Sequence, residues 1–239
     1  DGTTGKNLRY IGGDPNNYVR FNNELWKIIG IMNNVPDSTG TKASHIKLIR
    51  VSSIGNIAWD SNKSTNWSTA SLQTYLNSGG YWTGLTSDAK RMISNITWNL
   101  GGRDNSTSAT AKTFYTNERG TKVYSGNPTT WTGYVGLAYP SDYGFAVGGS
   151  GRSTCLGKKL ENYIDDYSCY NNDWMRLKGL TLTQDTVSSS TVYIIGDRQL
   201  NLAISYLTYA TRPVVYLRSD IKTLKTVGSG TELDPYVVG

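Results

Sequence analysis

Two cysteines, several carboxylates and a pair of amides crowd into one stretch, "STCLGKKLENYIDDYSCYNNDW". Cys155 and Cys169 are the only cysteines of the chain. A disulfide between them is the natural reading in a chain of secreted-type composition, and two free thiols are the alternative. Closing a loop of roughly 15 residues would contribute about 3 kcal/mol in the chain-entropy view, and such a bond persists only in oxidising surroundings. Glu161, Asp165, Asp166 and Asp173 lie around the cysteines. Hard cations want several oxygens, so this stretch has the chemistry for a structural calcium, although EF-hand spacing is absent. No other cofactor or metal is expected.

Other chemistries lack their residues. His45 is the single histidine and sits in a strand-like run, "ASHIKLIRV", where a structural role is expected. One histidine and two cysteines do not make a four-ligand zinc site. No nucleophile-elbow motif accompanies His45. "GGSGR" and "GSGTE" lack the lysine and hydroxyl pair of a phosphate loop. A glycosidase needs two carboxylates about 5–10 Å apart, and nothing in the order of residues points to such a pair. An enzyme is not expected.

Aromatics next to amides offer a different chemistry, that of binding. Tyr170, Asn171, Asn172, Asp173 and Trp174 form one cluster, and Tyr193, Asn201, Tyr206 and Tyr209 a second. Rings give apolar contact at low entropic cost and amides give adaptable hydrogen bonds. The competing reading places Trp174, Tyr193 and half of the others in the core. Asn171, Asn172, Asp173, Tyr206 and Tyr209 are the ligand-binding candidates.

The elements that must hold these residues are mostly strands. "YVRF", "LWKIIGIM", "HIKLIRV", "YVGLAYP", "TVYIIG" and "RPVVYL" are β-branched and aromatic runs bounded by turn residues. Asn22-Asn23 between two runs signals a tight hairpin. Trp26 and Trp59 are expected in the core, Trp26 in a run apolar enough to be covered on both faces. Two short helices are expected. One is capped by Ser68 or Thr69, carries Leu72, Tyr75 and Leu76, and ends at Gly79-Gly80; the other is capped by Thr86 or Ser87, with Asp88 in its first turn. A third would cover "CLGKKLENYI". Residues 101–132 and 144–172 read as long polar loops. This order argues for a single domain over residues 1–239, of α+β class, with one mostly antiparallel sheet.

The composition sets outer bounds. The 239 residues are enough for a sizeable core. The net charge of +6 comes from scattered Lys and Arg, with no basic helix, so nucleic acid is not an expected partner. No stretch approaches the ~20 apolar residues of a membrane span. The chain opens at Asp1, so a processed or trimmed piece of a longer protein is expected.

"LRYIGGDPNNYVRFNNELWKIIGIM", "IKLIRVSSIGNIAWD" and "NWSTASLQTYLN" resemble the opening of a family of Gram-positive bacterial surface modules. "YVGLAYPSDYGFA", the Cys155–Cys169 segment with "NNDW", and "RPVVYLRSDIK…GSGTELDPYVV" resemble its second half. The resemblance covers nearly the whole chain, with "YPSDYG" and "RPVVYL" its most specific parts. The chain departs from the pattern at Leu180–Thr183, which reads "LTLT" where the family has an aromatic. The resemblance implies a C-type-lectin-like fold, termini joined in one sheet, and Arg212 before Pro213 pairing with a carboxylate or with loop carbonyls. Family members often stand behind a prepilin-type segment or another anchor. An extracellular binding module on a Gram-positive surface is therefore expected, an adhesin or pilus-associated domain for a glycan or protein. A structural pilin-like subunit is the alternative, a carbohydrate-active enzyme the more distant one. The binding face would be built from Cys155–Trp174 and the last strands.

Overall fold

A computed structural model describes residues 1–102, 108–184, 190–221, 223–224 and 227–238. The chain begins with β1 (Leu8–Arg9), β2 (Tyr18–Phe21), β3 (Glu24–Pro36), β4 (Lys42–Arg50) and β5 (Asn56–Ala58). Helices α1 (Ser71–Asn77), α2 (Gly80–Gly84) and α3 (Ser87–Met92) follow. Next come β6 (Ile96–Asn99), α4 (Ala111–Glu118), β7 (Thr130–Gly133) and β8 (Val135–Gly136). Helices α5 (Pro140–Phe145), α6 (Arg152–Gly157) and α7 (Tyr167–Tyr170) precede β9 (Gly179–Gln184), β10 (Thr191–Ile195), β11 (Leu200–Ile204) and β12 (Thr208–Ala210). The chain closes with β13 (Val214–Tyr216), β14 (Thr223–Leu224) and β15 (Tyr236–Val238).

The main sheet runs β14-β15-β2-β3-β4-β13-β8, with β1 added on β3. Only the β15–β2 ladder is parallel among the described strands. Strands from both ends of the chain thus lie in one sheet. Smaller antiparallel sheets, β11-β10-β9, β12-β5 and β6-β7, surround it where the sequence suggested a single sheet. The architecture is mixed, with mostly antiparallel sheets and short helices, compatible with the α+β class.

Local sequence explains the best-defined turns. Asn22 and Asn23 have φ of 54° and 58°, the left-handed region that Asn tolerates better than most residues. That conformation closes the β2–β3 hairpin with Phe21 opposite Glu24. Residues Trp26 to Gly30 of β3 are all buried, so this strand is covered on both faces. Trp26 meets Phe21 edge-on at 5.4 Å, and Trp59 meets Trp67 at 5.1 Å in the same continuous core.

Helix starts differ in part from the expectation. Thr86 caps α3, its Oγ1 accepting from the Ala89 N–H at 3.1 Å, with Asp88 in the first turn. Neither Ser68 nor Thr69 caps α1. They belong to a 3-10 turn, Trp67–Thr69, capped by Asn66, and the first N–H of α1 donates instead to buried Asp60, Ser71 N to Oδ1 at 2.9 Å. Leu72 and Leu76 are buried, while Tyr75 faces outward.

The two polar stretches are not long loops. The first contains α4 and β7, besides 103–107, which lie outside the described residues. The second contains α6, the 3-10 turn Leu160–Asp165 and α7. The helix expected over "CLGKKLENYI" is broken at Lys158-Lys159. Cys155 and Cys169 are bonded, with Cα atoms 5.4 Å apart, and the bond joins α6 to α7 rather than stapling a loop. Gly144 lets this layer close on α4: a Cβ there would stand 2.7 Å from Ala111 Cβ and 2.5 Å from Leu160 Cδ2.

No helix among the described residues is long and apolar enough to cross a membrane. Arg212 donates to loop carbonyls, through Nε to Val51 O at 2.9 Å and through Nη1 to Lys178 O. Pro213 comes immediately before β13, where its missing N–H costs no ladder bond. His45 is buried with Nδ1 at 2.8 Å from Leu217 O, a structural position. At Leu180–Thr183, where the family pattern has an aromatic, the backbone forms part of β9; the side chains there lie outside the described residues.

Candidate functional site

The sequence-predicted ligand residues fall in separate places. Asp173 is fully buried, which removes it from any ligand-facing role. It forms bridges to Gly12 and Val147, and its Oδ1 accepts from Met175 N at 2.8 Å. Burial pushes its carboxyl well above the usual range, against the pull of that bond and of Arg176. Trp174 is buried as well, its indole N–H donating to Tyr10 O at 2.9 Å. Asn171 and Asn172 are half-buried, and the Asn172 amide donates to Ser168 O at 2.8 Å. "NNDW" is thus a splice between the N-terminal segment and the α5–α7 layer.

The second cluster divides too. Tyr193 is core, edge-on to Phe114 at 5.2 Å. Asn201 Oδ1 accepts from Gln199 Nε2. Tyr209 is half-buried on β12, and Tyr206 is 39% exposed with Lys63 Nζ 5.1 Å from its ring centre. Arg198, before β11, lies 5.4 Å from the Tyr170 ring, whereas Tyr206 follows the other end of that strand. Five strand residues span roughly 16 Å, so the two clusters do not converge on one surface.

Another group of residues does converge. The "YPSDYG" run forms α5, and every one of its residues is buried. Tyr139 precedes the helix, Pro140 supplies the fixed φ of the first turn, and Asp142 turns back to accept from the Tyr139 N–H at 3.0 Å. Asp142 also accepts from Arg9 Nη1 at 2.8 Å and from Lys47 Nζ. Arg9 comes from β1 and Lys47 from β4, so three distant segments meet at one carboxylate. Burial alone would raise the Asp142 pKa, but the charges of Lys47 and Arg9 outweigh it and hold the carboxyl well below the usual range. Burial pushes the Lys47 ammonium down to about 8, against the pull of Asp142. The ammonium also lies 4.3 Å from the Tyr139 ring centre and 5.2 Å from that of Tyr216.

A second buried acid sits beside the first. Glu118, the last residue of α4, is fully buried. It accepts from Ser141 N at 2.8 Å, from Ser141 Oγ at 2.5 Å and from Arg119 Nη1 at 3.0 Å. Burial raises its pKa, opposed by Arg119 and Ser141. The Arg119 guanidinium is therefore anchored on one side. Its Cζ lies 3.5 Å from the centre of the Tyr115 ring, and Nη1 also donates to Tyr115 O.

Above these residues a cleft of about 340 Å³ opens between segment 4–7, the end of β3, β6 and the end of α4. Tyr115, Tyr139 and Tyr216 form its floor, and Tyr139 Oη is fixed by accepting from Asn99 N and donating to Asn99 O. Asn7 and Asn33 build one wall by bonding each other's segments: Asn7 Oδ1 accepts from Asn33 N at 2.9 Å, and Asn33 Nδ2 donates to Lys6 O at 2.7 Å. Four groups on the lining have no bond to any described residue: the amides of Asn34 and Asn99, the Lys42 ammonium, and the Nε and Nη2 of Arg119. No carboxylate lines the cleft among the described residues. Such a surface donates and accepts hydrogen bonds and favours negative charge.

Arg119 and Glu118 lie in a stretch whose polarity suggests a loop. The signal in that stretch is Thr110 followed by Ala111, Phe114, Tyr115 and Glu118, a capped helical stripe with an acid in an apolar position. Among the described residues no three His, Cys, Asp or Glu side chains gather as a metal site, and Asp166 is engaged in capping α7 and pairing with Lys158 at 3.2 Å.

No family model matches the chain, and no curated protein and no solved structure matches it.

Proposed function

We propose that the chain is an extracellular binding module of a Gram-positive surface, adhesin-type or pilus-associated, and that the cleft over Tyr115 and Tyr139 holds its ligand, a glycan. One observation carries the reading. Asn34, Asn99, Lys42 and Arg119 present unused hydrogen-bonding groups to one concave space, on a floor where the Tyr115 and Tyr139 hydroxyls are bonded. Sugars offer hydroxyls to such amides, and the paired network beneath keeps the site in shape before binding, which lowers the ordering cost. The acids nearest the floor are engaged in ion pairs and caps, which favours holding a ligand over transforming it. Sheet-joined termini, an Arg-Pro step before β13 and a buried disulfide support a C-type-lectin-like module working outside the cell.

A second reading, a surface subunit whose partner is itself, is favoured by strand β11. It is the edge of its sheet and exposes Leu202 and Ile204 without a guarding charge. A glycan array separates the two. Retention of one glycan class, weakened by Asn34→Gly, which suits the left-handed φ of 57° there, and by Asn99→Ala, both at nearly unchanged Tm, supports the binding module. Concentration-dependent assembly in sedimentation, with no glycan retained, supports the subunit.

A further inference from the structure

The cleft's free charges are all of one sign, and this refines the class of glycan. We propose that the ligand is an acidic sugar, its carboxylate held by the side-on fork of Arg119, Nε–H and Nη2–H, with Lys42 adding charge at the rim. The inference rests on the binding reading above.

The guanidinium is prepared for that task. Nη1 is spent on Glu118 Oε2 and Tyr115 O, and Cζ lies against the Tyr115 ring. What remains is one edge with two parallel donors, the geometry that matches a planar carboxylate. Its position is fixed because Glu118 is itself held by both Ser141 donors. A neutral ligand would leave Lys42 with no counter-charge and the outer edge of Arg119 without an anionic acceptor, since Glu118 engages only Nη1 and the lining holds no acid among the described residues. The amides of Asn34 and Asn99 then read the hydroxyls around the acid. This polar surround favours a sugar over an acidic peptide, whose side chains would bring apolar stems to a lining rich in amides.

The test compares a trigalacturonate, its methyl ester and a neutral trisaccharide by titration calorimetry on the chain as it stands. The expected result is binding of the acid at least tenfold tighter than of its ester, an affinity that falls as salt is raised, and a several-fold loss with Lys42→Ala. Arg119→Lys keeps the charge and removes the fork, and should cost at least tenfold. Should that variant fail to fold, the acid–ester comparison and Lys42→Ala decide the matter, because Lys42 is exposed. Equal binding of acid, ester and neutral sugar overturns this inference and leaves the glycan-binding reading standing. Binding of none of the three, together with an empty glycan array, overturns both. A sulfated trisaccharide that binds tighter than the uronate overturns the carboxylate, and an Asp-rich peptide that displaces the uronate at equal concentration overturns the sugar class.

Discussion

Asp142→Asn removes the charge on which three segments converge and changes almost nothing else in shape. The side chain keeps one oxygen for Arg9. Its new NH2 group faces the donors that Oδ2 now satisfies, Lys47 Nζ and the Tyr139 N–H. Lys47 would then be buried without a counter-charge, its side chain 1% exposed, while Arg9 would keep only Asp1 Oδ2 at 2.7 Å. Breaking a buried pair from one side costs about 3–5 kcal/mol, and the meeting of donors places this variant at the upper end. A domain is held by only about 5–15 kcal/mol, so the loss is roughly a third or more of the total. Urea unfolding gives the number. Lys47→Met should cost less, because Asp142 keeps Arg9 and the Tyr139 N–H, and the double variant should recover part of the Asn cost. The pH dependence has a definite sign. A carboxyl whose folded pKa is depressed stabilises above its unfolded value, about 3.9, and loses that contribution as the pH falls further. The gap between wild type and variant should be open near pH 6, close in acid, and narrow again toward and above about pH 8, where Lys47 sheds its proton. A variant within about 1 kcal/mol of wild type at pH 7, or a gap that survives at low pH, refutes the ion cluster as a support of the fold.

Asp173 should behave in the opposite sense, because burial raises its pKa. Its native form keeps a proton that the unfolded chain releases, so its stability contribution falls as pH rises above about 4; Asp173→Asn should gain in Tm relative to wild type between pH 4 and 8, and a flat difference would contradict this. Replacing both Cys155 and Cys169 by Ser should cost about 3 kcal/mol from loop closure, and alkylation without reduction should leave the intact mass of wild type unchanged. Trp26→Ala should cost about 3–5 kcal/mol in denaturant unfolding, since Trp26 is fully buried.

Parts of this molecule can be read from local residues, and others depend on which segments meet. The Asn22-Asn23 hairpin, the Thr86 cap and the buried Trp26 follow from short-range geometry or from an apolar run. The Cys155–Cys169 pair is close enough in sequence to be read as a bond, although the helices it joins are not evident from so polar a segment. Lys47 is the instructive failure. In "HIKLIRV" it stands between Ile46 and Leu48, where strand alternation turns a lysine to solvent. The strand is covered on both faces, so the lysine is buried and must find Asp142 from α5, far along the chain. The cleft fails to show for the same reason, because segment 4–7, β3, β6 and α4 are adjacent only in space. The Asn171–Asp173 amides and acid resemble a ligand cluster in sequence, yet their backbone is needed to tie Gly12 and Val147 together.

The ligand's position can be read by titrating the isotope-labelled chain with the tightest glycan from an array and following amide and side-chain NMR shifts. Perturbations are expected at Asn34, Lys42, Asn99 and Arg119, with Asn171, Asn172, Tyr206 and Tyr209 unmoved. Shifts confined to Asn171–Asn172 or to Tyr206–Tyr209, with the cleft silent, would contradict that placement.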